Sequence, residues 1–347
     1  MRWNIIPTPG DLPAPLPVRG IPFLAASDDL RFPATVPYAG DSVLQVCPDQ
    51  NGLSVDQAGL LARQVIEKHI HVNPAILLKG LPIRSRQDFS EFFQACEFTA
   101  HDYKGGNALR DKSPDKVSVT STESPSVVVT PHNENAYMPE PPDLVFFCCL
   151  EAAQQGGEVP INDIRKTPAL LPGDFIEEMQ RRDLRYIRRL IKDNNNFEIG
   201  WQTAFGTTDR KEVESYLESR NIEFRWKDTD ILEFWFNTPV FKNYRGEELW
   251  FNQLSECNAD YWLLHPDAHR MGYTRETCQS DTAYGDGEPF PEDARTMVRA
   301  AIWQSTEVLM LEPADVIVLD NNIMQHGRMS YRGIRRHLAA LAKISST

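Results

Sequence analysis

Apolar positions recur along this chain with two periods, and the switches between them mark its elements. Ser54 with Gln57 forms a capping box, and Leu61 and Val65 follow four apart, so a helix is predicted to open there and run through Lys68. Phe89, Phe92, Phe93 and Cys96 fall at i, i+3, i+4 and i+7, which makes 86–96 an amphipathic helix with an aromatic stripe turned to the core. Further helical patterns lie near 175–182, 211–220 and 292–302. Short β-like runs occupy 75–80, 117–120, 127–130, 144–150, 249–252 and 316–319. Short strands separated by turn signals predict a jelly roll or barrel.

The first 45 residues break both periods, because Pro7, Pro9, Pro13, Pro15, Pro17, Pro22, Pro33 and Pro37 crowd them. Proline fixes φ and donates no hydrogen bond, so residues 1–50 are expected to be an irregular N-terminal wrap rather than regular elements. The interleaved Trp3, Ile5, Ile6, Leu16 and Phe23 predict that this wrap is packed down. No repeat, low-complexity tract or linker interrupts the rest, so 1–347 is read as a single domain, with the core in 75–343.

Composition narrows the class. With 41% apolar and 24% charged residues the chain can bury a large core. A net charge of −13 argues against non-specific binding to nucleic acid or to an anionic membrane surface. No long uninterrupted apolar run is present, and the start shows neither a basic segment nor an apolar one, so no membrane span or secretory signal is expected. The six cysteines form no C-x-x-C pair, and Cys148 with Cys149 sits in a buried-strand pattern; a reducing cytoplasm is the natural location.

Chemistry enters at Pro131-His132-Asn133-Glu134, where an imidazole and a carboxylate two residues apart would share one face of a strand. His326, far along the chain, can complete a site of two histidines and one carboxylate. On iron such a set leaves open positions for a cosubstrate and O₂. His69, His71, His101, His265, His269 and His337 lack a comparable context and are read as surface or hydrogen-bonded histidines. The cluster Arg181, Arg182, Arg185, Arg188, Arg189 reads as a solvated face or a docking patch for an acidic partner.

The surroundings of the triad carry a resemblance. Tyr103-Lys104-Gly105-Gly106 and Thr120-Ser121-Thr122-Glu123-Ser124-Pro125 precede it. Gly156-Gly157-Glu158-Val159-Pro160-Ile161-Asn162-Asp163, Trp250-Phe251-Asn252-Gln253, Tyr284-Gly285-Asp286-Gly287 and Gly333-Ile334-Arg335-Arg336-His337-Leu338 follow. Over roughly 75–343 this ordered set resembles the iron(II)/2-oxoglutarate dioxygenases of the TauD/TfdA family. Within it the set is most similar to the H-x-E branch, with clavaminate synthase-like proteins and amino-acid hydroxylases of nonribosomal peptide pathways.

The resemblance implies a mainly β core, the double-stranded β-helix or jelly roll, surrounded by α-helices. It implies that His132, Glu134 and His326 hold Fe(II) and that Arg336 clamps the distal carboxylate of the cosubstrate 2-oxoglutarate. Arg335, next to it on a strand, should face the other way; a slip of one residue would exchange the two roles. Ser121, Thr122, Asn133, Tyr137, Trp250, Asn252, Arg110 and Arg328 are the candidate substrate contacts, and Asp320 and Asn321 serve a turn or support the site. Two departures stand out. Val159 supplies no hydroxyl where family members often have threonine, and Ala340 replaces the arginine of taurine-specific enzymes, which argues against a small sulfonate. Glu134 retains the carboxylate that halogenases of this fold lack.

The implied activity is an O₂-consuming oxygenase that hydroxylates an amino acid, free or tethered to a peptidyl carrier protein, and forms succinate and CO₂ in natural-product biosynthesis. The same oxidant could desaturate, cyclise or epimerise. A zinc hydrolase and a non-catalytic jelly-roll binding protein are the competing classes, and a dicarboxylate clamp is needed by neither.

Overall fold

The computed structural model describes residues 2–50, 52–101, 116–120, 123–138, 140–195, 198–227 and 230–344. The Ser54 hydroxyl accepts from Gln57 N while the Gln57 side chain accepts from Ser54 N, and the helix Val55–His69 follows from this cap. A second helix, Arg86–Ala95, is capped by Ser85 and crosses it closely. At Gly59 an added Cβ would lie 2.5 Å from the Phe92 carbonyl oxygen, so only glycine permits that approach. The predicted stripe of Phe89, Phe92 and Phe93 is buried against Phe146, Leu338 and Ala340.

Those partners belong to a large sheet ordered Trp3–Ile5, Leu44–Pro48, Ala75–Leu78, Val316–Asp320, Leu144–Glu151, Arg336–Lys343, Thr99–Ala100. Val117–Val119 also pairs with Arg336–Lys343. Val316–Asp320 is buried throughout, because both of its faces are covered. Val316 and Val318 lie under the two helices, whereas Ile317 and Leu319 meet a second sheet. That second sheet runs Thr306–Leu309, Val159–Asp163, Met324–Arg328, Val129–His132. Ile317, Leu319 and Cys149 of the first sheet share one core with Val159, Ile161 and Met324 of the second. The result is the expected mainly β jelly roll.

A third sheet, Glu223–Lys227, Ile231–Thr238, Leu184–Leu190, Ser280–Tyr284, was not evident in the sequence. Leu184–Leu190 is a strand whose alternation is masked by arginines: Leu184, Tyr186, Arg188 and Leu190 are buried. The arginines around it have internal partners. Arg182 pairs with Asp286 and Glu178, Arg185 with the Gly285 carbonyl and Asn237, and Arg189 with Glu233. Of the expected solvated face or docking patch, Arg182, Arg185 and Arg189 are thus held in ion pairs and hydrogen bonds within the chain, Arg188 is buried and Arg181 is exposed.

The N-terminal stretch is not the irregular wrap expected: Trp3–Ile5 and Leu44–Pro48 are strands of the large sheet, Leu16–Pro17 pairs with Thr35–Val36, and Val18, Phe32 and Val36 are buried beside Trp303 and Val308, whereas Ile5 and Phe23 are exposed. Among the described residues no helix is long and apolar enough to cross a membrane.

Candidate metal centre

The strands Val129–His132 and Met324–Arg328 pair with His132 opposite His326. This register alone brings together side chains from distant parts of the sequence, with ring centroids 4.6 Å apart. Glu134 does not extend the strand as expected. It lies in the turn after it, next to Asn135 at φ 56°. Its position is fixed by Asn321, whose side-chain oxygen accepts from Glu134 N at 2.7 Å and whose amide donates to the Glu134 carbonyl at 2.9 Å. The one-face argument from strand alternation thus fails for Glu134, although the carboxylate arrives at the same place.

Ligand atoms of His132, Glu134 and His326 lie within 4.8 Å of one another, and Glu134 Oε2 is 3.5 Å from His326 Nε2. His132 Nδ1 stands 2.9 Å from the Thr130 carbonyl, which assigns the ring proton to Nδ1 and leaves Nε2 as a lone-pair donor. Burial, and then His326, lowers the His132 pKa and favours the neutral, ligating form. Two imidazoles and a carboxylate gathered around one point fit a first-row divalent metal such as iron(II).

The triad opens into a cavity of about 270 Å³. Arg335, His337 and Ala339 line it in the alternation of a strand, while Leu338, Ala340 and Ala342 face the helices. Arg336 is not the cavity arginine. Its side chain is 68% exposed and pairs with Glu151 at 2.8 Å. The strand bulges between Arg336 and His337, where one step along it is matched by two along its partner, from Glu151 to Cys149. Burial, and then Arg328, lowers the Arg335 pKa to about 10.

The expected substrate contacts divide. Tyr137 and Arg328 line the cavity. Arg328 donates to the carbonyls of Glu123, Ser124 and Val127 and so holds that loop. Asn133, Trp250 and Asn252 do not line it. Asn133 donates to the Asn321 carbonyl, Asn252 to the Val240 carbonyl, and Trp250 is packed among apolar side chains. Ser121, Thr122, Arg110 and the 103–106 motif lie outside the described residues. Asn321 supports the site, and Asp320 accepts from Tyr244 and Asn322.

Several lining residues were missed. His337 and His265 are buried in the cavity wall, and His265 Nε2 pairs with Glu123 at 3.0 Å. Glu198 accepts from the Tyr273 hydroxyl at 2.7 Å, and burial raises its pKa to about 7. Glu256 accepts from Thr130 and Ser255 through Oε1, and its Oε2 has no hydrogen-bond partner among the described residues. The one hint of this wall was polar residues directly after the Trp250–Gln253 motif, and all of 251–258 is buried.

Comparison with known proteins gives a consistent result. The family described as taurine catabolism dioxygenase TauD, TfdA family, matches residues 41–341. The dapdiamide synthesis protein DdaC of Enterobacter agglomerans is 27% identical over 292 residues, 83% of this chain and 87% of that protein. A clavaminate synthase-like protein of Arabidopsis thaliana is 24% identical over 290 residues, 81% of this chain and 85% of that one. The crystal structure of PvcB from Pseudomonas aeruginosa is 14% identical, with a TM-score of 0.49 over 87% of this chain and 86% of that chain.

Proposed function

The chain belongs to the TauD/TfdA dioxygenase family and is an iron(II)/2-oxoglutarate-dependent oxygenase; from this we propose that it hydroxylates an amino acid at His132, Glu134 and His326. Bound iron, 2-oxoglutarate and O₂ would supply an oxidant for an unactivated C–H bond and release succinate and CO₂. The protein holds and shields. His132 and His326 present lone pairs from paired strands, and Glu134 adds the one negative charge that Asn321 positions. Arg335 takes the role expected of Arg336, because its guanidinium lines the cavity and can meet a carboxylate with two parallel donors. Val159, Phe147 and Ala339 give the cavity apolar walls that exclude water.

The observation that carries this reading is the convergence of the triad at a cavity that a partly buried arginine also lines. A hydrolase has no use for that arginine. The residue four beyond it is Ala339, which argues against a small sulfonate substrate. The family resemblance at His132 and Glu134 supports an amino acid, free or on a peptidyl carrier protein, and the similarity to a dapdiamide synthesis protein supports a biosynthetic setting. All six cysteines are free thiols, which suits a reducing cytoplasm. One core shared by the two sheets supports a single domain.

Mass spectrometry of the purified protein with iron(II), 2-oxoglutarate and pooled amino acids, free and carrier-bound, tests the proposal. A gain of one oxygen with stoichiometric succinate is expected. Loss of two hydrogens would replace hydroxylation by desaturation, and turnover with zinc alone would overturn the reading.

A further inference from the structure

The strand Arg336–Lys343 fixes an order along the cavity wall. Ala339 stands opposite Phe147, whose ring centroid lies 4.7 Å from that of His326, so Ala339 marks the level of the metal ligands. His337 stands opposite Cys149, one side-chain repeat or about 7 Å farther along. Arg335 follows on the same wall, beyond the bulge. A ligand that reaches from the triad to the Arg335 guanidinium therefore passes the His337 ring.

That end of the cavity is short of donors. Arg335 spends Nε on the Gly157 carbonyl at 3.3 Å, which leaves its two terminal nitrogens. Arg328 gives both of its terminal nitrogens to the carbonyls of Glu123, Ser124 and Val127. Thr120 gives its N–H and its hydroxyl to the His337 carbonyl, at 3.1 and 3.3 Å. Phe147, Val159 and Ala339 line the wall without a side-chain donor. A carboxylate has about four lone-pair sites, and one guanidinium edge fills two of them. Taking such a group out of water with the others unmatched is costly.

His337 is placed to fill one of those sites. It is only 3% exposed, yet it lines the cavity. Its ring makes no hydrogen bond among the described residues, and neither nitrogen is closed off from the cavity as His326 Nδ1 is. Burial, and then Arg335, keeps the ring neutral, so one nitrogen carries a proton and the other a lone pair. A buried ring that is unmatched and open only to the cavity is a hydrogen-bonding group for what the cavity holds.

We propose that His337 is a second contact for the cosubstrate, donating from its imidazole N–H to the carboxylate that Arg335 clamps. The inference rests on the clamp reading of Arg335 and adds a selectivity to it. The far end of the oxo acid meets a cation and a directional neutral donor together, and an oxo acid without that second carboxylate gains nothing from His337.

Binding tests this without turnover. Calorimetric titration of the iron(II)-loaded chain under argon would compare 2-oxoglutarate with 2-oxopentanoate, which has the same carbon chain and no distal carboxylate. His337→Leu should weaken 2-oxoglutarate by about tenfold, the size of one hydrogen bond to a charged group, and leave 2-oxopentanoate unchanged within about twofold. His337→Gln, which keeps an N–H donor, should recover part of the loss. Melting curves and iron content establish that the variants are folded and loaded. Should His337→Leu not fold, His337→Phe also lacks the donor and carries the same expectation. Unchanged 2-oxoglutarate affinity in the variant without a donor, or equal weakening of both oxo acids, would overturn the contact. Arg335→Ala is titrated alongside. Loss of 2-oxoglutarate affinity there, with none on removing the His337 donor, would leave the clamp standing and remove His337 from the site. No loss in Arg335→Ala would remove the clamp reading itself, and this inference with it.

Discussion

The Asn321 side chain grips the backbone of Glu134 at both of its polar groups, accepting from the N–H at 2.7 Å and donating to the carbonyl at 2.9 Å. The same amide donates to the Pro142 carbonyl at 2.9 Å, and Asn321 is fully buried. The carboxylate of the triad stands in a turn, so this side chain replaces the strand ladder that holds His132. Asn321→Ala should weaken metal binding by about 10- to 100-fold while His132 and His326 remain in place. Competitive titration with cobalt(II) would measure it. Wild-type affinity in that variant would show that the turn holds Glu134 without help.

The two adjacent arginines should behave as opposites. Arg335→Ala removes a partly buried guanidinium from the cavity and should raise the 2-oxoglutarate concentration needed for half-maximal turnover by about 30-fold or more, with iron still bound. Arg336→Ala removes an exposed ion pair with Glu151 and should change stability by about 1 kcal/mol or less and leave the cosubstrate requirement alone. If Arg336→Ala instead carried the cosubstrate defect, the strand parity described here would be wrong.

These two sites show what the sequence does and does not encode locally. The aromatic stripe of Phe89, Phe92 and Phe93 and the doubly covered Val316–Asp320 strand were legible because helix period and a continuous apolar run are local properties, whereas the pairing of His132 with His326 was legible only through the motifs of the family resemblance. The facing of Arg335 was not, because a bulge in the pairing of Arg336–Lys343 with Leu144–Glu151 decides which arginine turns inward. In Leu184–Leu190 the buried Arg188 hid the strand's alternation, and the run read as a basic patch. Glu198 had no signal, and Glu256 had only the polar residues that follow Trp250–Gln253. They reach the cavity from segments outside every motif, and only tertiary folding brings them there.

His337 ties the cavity wall to pH. Burial, and then Arg335, lowers its pKa to about 3 from the usual 6.5, so the folded protein keeps this ring neutral. A base with a depressed folded pKa contributes stability above its unfolded pKa and loses it as pH falls. The loss should therefore begin near pH 6.5 and grow toward pH 3, reaching on the order of 2 kcal/mol by pH 5. Melting temperature against pH for wild type and His337→Gln, both metal-free, would separate this group from the acids. The variant should hold its stability better between pH 6.5 and pH 5; parallel curves would exclude His337 as the source.

Metal binding should itself stabilise the fold, since the triad draws on two strands and a turn that only tertiary structure brings together. A ligand that binds the native state alone adds about 4 kcal/mol at a thousandfold excess over its dissociation constant. Iron(II), added anaerobically, should raise the wild-type melting temperature by several degrees, and a chelator should reverse it. His132→Ala and His326→Ala should each lose most of that rise, because the two remaining protein ligands hold a first-row ion weakly and bring it to the cavity with the wrong geometry. Glu134→Ala should keep part of it, since both imidazoles stay paired across the strands with ring centroids 4.6 Å apart. An undiminished rise in His326→Ala would mean that the ion binds elsewhere, and the proposed centre would then lose its third ligand and with it the reason to place iron beside Arg335.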